Sequence, residues 1–306
     1  ITYVLGSSQL FLKSILTESY RSFELIIISL YFSIANLGFY SFALAIYTAL
    51  FGVISSIIII LERNMLYELG GKKSTKNSFL FSKYFESNYS VYLFFLTVIF
   101  GVSFLVFSEI ITYYLNDYNT SIIIANLIFI EVVLFYCSSI HTSFINGIGM
   151  LRTNSVIVFG AILSKLFFLL FLISYGLDIT VVQIAFISII GGIVLLFISS
   201  NITSKEIYSN RIWGMFLSLM VLLNVLAVAY IINVLSQFNF HFYPGEDQFS
   251  IFFDFILVIA FKCIIFISLC LILTNLIFFK FKPYNEMMNF YTIFYNTYLK
   301  KDSNRN

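Results

Sequence analysis

Lys13, Glu18, Arg21 and Glu24 recur inside a stretch that is otherwise apolar enough to enter a bilayer. At 100° per residue they fall within an arc of ~140°, with Ser14 and Thr17 on the same face. A charge at the centre of a lipid-facing helix costs at least ~2.5 to 3.5 kcal/mol, so this stripe should face protein or water. Arg21 stands three residues from both Glu18 and Glu24, a spacing at which helical side chains meet and offset part of that cost. Two readings follow: a polar lining for a solvated cavity, or a helix lying half at the interface with Lys13 snorkelling and the ion pairs acting as neutral glue.

Lys165 is a second basic residue placed deep in a span. It lies about eleven residues into its span, ~16 Å at 1.5 Å per residue and close to the midplane. A lysine there needs a carboxylate, backbone carbonyls, water or an anionic ligand. Glu131, in the middle of the preceding span, is the internal candidate, so a structural Glu131–Lys165 pair and a substrate contact both stay open. Glu131 shares a helical face with Ser138 and Thr142. Lys262, eight residues after Asp254, reads as structural, either snorkelling outward or facing a groove. His141 has no second ligand at metal spacing and reads as a packing histidine. Cys137, Cys263 and Cys270 all fall in apolar spans and read as packing residues. No phosphate loop, zinc motif, cysteine pair or Ser/His/Asp arrangement is present, so nothing in the chain argues for an enzyme, a cofactor or a metal.

The elements that must position these charges follow from composition. Of the 306 residues 60% are hydrophobic and 10% charged, with mean hydropathy +0.97, so the chain needs lipid as its solvent. The net charge of +2 says little in a membrane protein, and nucleic acid is excluded as a partner. Apolar runs predict spans at 9–33, 41–62, 90–112, 121–145, 154–175, 179–200, 212–236 and 250–280, with Asn36 and Gly38 in the first turn. Arg63, Lys72, Lys73, Lys76 and Lys83, then Arg152, then Lys205 and Arg211, then the tail lysines and Arg305 occupy alternate gaps. The other gaps hold Asp117, Asp178, Glu246 and Asp247 and no basic residue. Basic residues are retained in the cytoplasm during insertion, which puts both ends of the chain inside. The fold class is therefore all-α integral membrane with eight transmembrane helices. Every outer loop is short, the longest at about 237–249, which excludes a large outer domain.

Beyond the last span, Tyr284, Met287, Met288, Tyr291, Phe294, Tyr295, Tyr298 and Leu299 recur at helical spacing. This pattern predicts an amphipathic tail along the inner membrane face. The chain opens at Ile1 with no basic n-region or cleavage site, and reads as lacking the N-terminal part of a longer protein.

A family resemblance enters with particular residues. Arg21-Ser-Phe-Glu24 leading to Ala35-Asn36-Leu37-Gly38-Phe39-Tyr40-Ser41 resembles the start of a lobe in polysaccharide flippases of the multidrug/oligosaccharidyl-lipid/polysaccharide exporter superfamily. The stretch Phe144-Ile145-Asn146-Gly147-Ile148-Gly149-Met150-Leu151-Arg152-Thr153-Asn154 looks like the family's "N-G-x-G-K-x-R" turn, with Met150 where lysine is usual. Ser174-Tyr175-Gly176-Leu177 looks like its short outer turn. The resemblance covers about residues 9 to 280. It implies a six-helix lobe over 1–200, the second of a two-lobe transporter whose first lobe is missing, and two additional helices with the tail over 201–306.

The activity it implies is moving a lipid-linked oligosaccharide across a bacterial cytoplasmic membrane for O-antigen, capsule or related polysaccharide assembly. The further partners it implies are membrane lipids and polysaccharide assembly proteins. Arg21, Lys165, Glu18, Glu24 and Glu131 are the candidate cavity residues, with Arg21 and Lys165 for the pyrophosphate. The rivals are a cation-coupled multidrug exporter of the same superfamily using Glu131, and a non-transporting membrane scaffold. A polysaccharide polymerase is disfavoured, because it would resemble proteins with a long outer loop.

Overall fold

The computed structural model describes residues 15–16, 19, 22–45, 48, 78–148, 150–175, 180–208, 211–238 and 248–277. Apart from short connections and a 3-10 turn at Asn116–Tyr118, those residues form helices: two short apolar ones, α1 (Ser22–Tyr31) and α2 (Ile34–Ala45), then six long ones. The long helices are α3 (Ser78–Tyr114), α4 (Asn119–Gly147), α5 (Leu151–Ser174), α6 (Val181–Tyr208), α7 (Arg211–Gln237) and α8 (Gln248–Ile277). A helix is the form that satisfies every backbone group within one segment, which an apolar chain in lipid requires. The two prolines, Pro244 and Pro283, fall outside these six helices, so none is interrupted.

Each of the six is long and apolar enough to cross a membrane, making this an all-α, multi-pass membrane protein. The lysines and arginines at 13, 21, 63, 72, 73 and 76, Thr17, Glu18 and the amphipathic tail lie outside the described residues. Helix α3 begins well before the 90–112 predicted for it. The part of it that is long and apolar enough to cross a membrane opens at Val91, close to the predicted start. The predicted turn at Asn36 and Gly38 is corrected: both residues are helical, and the break falls at Phe32–Ser33. Ser33 causes the shift by capping α2, its Oγ accepting from the Asn36 amide (3.4 Å) and its carbonyl from the Leu37 amide (3.1 Å). A Cβ on Gly38 would meet nothing within 4 Å, so packing does not require glycine there.

Short connections between long helices make successive neighbours antiparallel. The most extensive contact joins α4 to α6; α5 leans on α6, and α7 packs against α6, α3 and α4. Helix α8 closes the bundle against α3 and α7. Gly101 on α3 makes room for the Phe266 ring of α8, whose Cε1 would stand 2.5 Å from an added Cβ. Tyr89 and Tyr92 of α3 donate to the Cys137 (3.3 Å) and Tyr136 (3.2 Å) carbonyls of α4. Helices α5 and α8 are the peripheral ones, with 28% and 22% of their span windows buried against 67% for α3. Each nevertheless carries one fully buried lysine, Lys165 and Lys262.

Candidate functional site: a buried charge cluster

Lys165 occupies the middle third of α5, on a helix whose outward face is Val156, Phe159, Phe167 and Leu170. Its own side chain is completely buried. An apolar outer face and one inward lysine fix the rotation of the helix, because the opposite rotation would put the ammonium in acyl chains. The ammonium meets two carboxylates: it pairs with Glu24 of α1 and lies 3.0 Å from Glu131 Oε1 of α4. Ser188 of α6 donates its hydroxyl to Glu24 Oε1 at 2.7 Å. One network thus ties α1, α4, α5 and α6 at the depth of a span centre.

Space for the lysine comes from Gly191, three residues along α6 from Ser188 and therefore on the same face. A Cβ at Gly191 would stand 2.5 Å from Lys165 Cε and 2.8 Å from its Cγ. The next residue, Gly192, lets α6 approach α4, where an added Cβ would be 3.2 Å from Leu134 Cβ and 3.6 Å from the Glu131 carbonyl oxygen. The two adjacent glycines serve two neighbours on different sides of α6.

The chemistry open to this arrangement follows from its charges. Two carboxylates share one lysine among Glu24, Glu131 and Lys165, and carboxylates held so close together favour the presence of cations. Arg21, one helical turn before Glu24, is the sequence candidate for such a cation, and it and Glu18 lie outside the described residues. Of the polar stripe, Glu24 is described and is 3% exposed, so it faces protein.

The Glu131–Lys165 pair expected from the sequence is present. Glu24 as the second partner, and Ser188 with Gly191 as its support, were not anticipated. Glu24 carried a signal in its place on the stripe, and Ser188 and Gly191 carried one in their spacing of three, but nothing in the sequence aimed either pattern at Lys165. Ser138 and Thr142 do extend along the buried face of α4, yet their hydroxyls return to their own helix, at the Phe135 (2.6 Å) and Ser139 (3.0 Å) carbonyls.

A second buried set joins α3 to α8. Lys262 pairs with Glu109, and the Tyr113 hydroxyl donates to Asp254 Oδ2 at 3.2 Å. Lys262 therefore turns into the bundle and does not snorkel, and Glu109 is a partner the sequence reading missed. His141 packs beside the Tyr89 ring, centroids 5.0 Å apart, and no metal-binding group of His, Cys, Asp or Glu forms among the described residues. The three thiols are free. In the glycine-containing turn between α4 and α5, Asn154 Nδ2 donates to Asn146 Oδ1 at 2.8 Å, pinning the start of α5 to the end of α4. No protein-family model, curated protein or solved structure matches the chain.

Proposed function

We propose that this protein moves a lipid-linked oligosaccharide across a bacterial cytoplasmic membrane, as one lobe with two additional helices of an alternating-access flippase. In this reading the chain crosses eight times with both ends inside, and the six-helix lobe covers 1–200. The observation that carries it is the Glu24–Lys165–Glu131 cluster, because ionisable groups kept at mid-depth cost stability and mark substrate or ion pathways.

Lys165 works here as an exchangeable cation. Its ammonium rests between two carboxylates on α1 and α4, and a diphosphate entering from the cavity competes for the same donors. A rocking movement that carries α1 from α5 opens the lysine to the anion, and the reverse movement returns it to Glu24 and releases the cargo. Arg21 is the second contact for the diphosphate. No covalent step occurs, so no catalytic residue is assigned.

The test is deletion of the gene in its host, with surface polysaccharide and membrane lipid-linked oligosaccharide assayed together. Loss of surface polymer with complete repeat units accumulating on the inner leaflet supports flipping. Complementation by Arg21→Ala should fail at wild-type protein level, and so should the Lys165→Met, Glu24→Gln, Glu131→Gln variant, which leaves no uncompensated buried charge; normal polymer with either variant overturns these roles.

The two carboxylates held at mid-depth favour one second reading, a cation-coupled exporter of small molecules with Glu24 and Glu131 as the ion site. Unchanged surface polymer with altered drug accumulation in the deletion strain selects it.

A further inference from the structure

A cavity of about 410 Å³ opens where α5 begins, α6 ends and α7 begins, far along α6 from the buried cluster. Its apolar wall includes Met150, Ile198 and Met215, and its polar wall Asn201, Lys205 and Glu206. Lys205 and Glu206 close the span that runs from Val181 to Ile207, which puts the cavity at the level of lipid headgroups.

Three polar groups at this cavity are uncommitted. The Asn201 side-chain carbonyl is buried without a hydrogen-bond partner, although a buried amide oxygen ordinarily has one. Lys205 and Glu206 are exposed and take part in none of the ion pairs among the described residues. Asn201 and Lys205 are four residues apart, so their side chains stand side by side on α6. The cavity thus offers one cationic donor, one carboxylate and one orphan acceptor above a flexible methionine-containing wall.

We propose that this cavity binds the headgroup of a phosphoethanolamine lipid. The phosphate accepts from Lys205, and the primary ammonium, a few bonds away, donates to Glu206 and to Asn201 Oδ1 once that side chain turns into the cavity. The glycerol and the first methylenes lie on Met150, Ile198 and Met215, where thioether side chains adapt to an irregular guest. The charge pattern selects among lipids. A choline headgroup has no N–H for Asn201, and a glycerol headgroup has no cation for Glu206. The inference requires only that the helices span a bilayer and is independent of what the protein transports.

The experiment is native mass spectrometry of the full chain in detergent, titrated with phosphatidylethanolamine, phosphatidylcholine and phosphatidylglycerol of identical acyl chains. The expected result is a first lipid bound about tenfold tighter for the ethanolamine form than for either other, the effect of one charge-assisted hydrogen bond. Asn201→Leu and Glu206→Gln should each bring ethanolamine binding down to the choline level, and Lys205→Gln should weaken the first site for all three lipids. Equal binding of the three lipids to the wild-type protein overturns the proposal, as does a preference for phosphatidylglycerol. An ethanolamine preference that survives in the Asn201→Leu and Glu206→Gln proteins also overturns it.

Discussion

Gly191 of α6 lies directly against the aliphatic stem of Lys165 of α5, so close that a single added carbon would stand 2.5 Å from Cε. The glycine is what lets a full-length lysine fold inward between α5 and α6 and reach carboxylates on α1 and α4. Replacing it by alanine overpacks a buried site, at a cost of about 1–3 kcal/mol. Gly191→Ala should therefore lower the thermal midpoint of the purified protein and, on the proposed function, impair transport. In a Lys165→Ala background the same substitution should cost much less, and equal costs in both backgrounds would show that the glycine does not serve the lysine.

Removing the lysine alone leaves two carboxylates buried against each other. Lys165→Met should destabilise by about 3–5 kcal/mol, because an uncompensated buried charge is worse than no charge. The triple variant Lys165→Met, Glu24→Gln, Glu131→Gln should regain most of that stability, measured by thermal unfolding in detergent, and remain inactive. A triple variant that transports normally would make the cluster a packing device.

The α3–α8 pair is a structural counterpart. Lys262→Met should be strongly destabilising while Glu109 keeps its charge, and Lys262→Met with Glu109→Gln should recover both stability and transport. Steady-state protein level and surface polymer in complemented cells read the two effects separately. A stable double variant that cannot transport would assign this pair a functional role as well.

Gly214 sets the closest approach of α6 and α7. An added Cβ would stand 2.6 Å from the Ser200 carbonyl oxygen and 2.8 Å from the Asn201 Cα, both backbone atoms with little freedom to move. Gly214→Ala should separate the helices and break the Ser200–Ser218 hydroxyl contact, lowering the thermal midpoint. An unchanged midpoint would mean that α7 shifts without cost.

Orientation is open to direct chemistry. In a protein with Cys137, Cys263 and Cys270 replaced by alanine, Asp117→Cys should react with a membrane-impermeant maleimide in intact cells. Arg152→Cys should react only after permeabilisation. Both positions are exposed at opposite ends of α4 and the start of α5, and the reverse pattern would invert the topology.

The sequence by itself determined the helical class and the positions of the six long apolar helices. Those follow from composition and from local apolar runs of about 20 residues, a length and continuity that in lipid suit a helix and not the alternating strands of a barrel. It left the first turn misplaced, because a serine cap at Ser33 outweighs Asn36 and Gly38 when the side-chain oxygen meets the Asn36 amide. It also offered Glu131 as a partner for Lys165, since adjacent spans are neighbours by default. Only the tertiary structure decided that Glu24, 141 residues from Lys165, completes the cluster, that Ser188 holds Glu24, and that Glu109 receives Lys262. Those pairings depend on how each helix is rotated about its axis. Rotation is settled by burying the mid-span charges and accommodating every close approach at once, and no single helix encodes that condition.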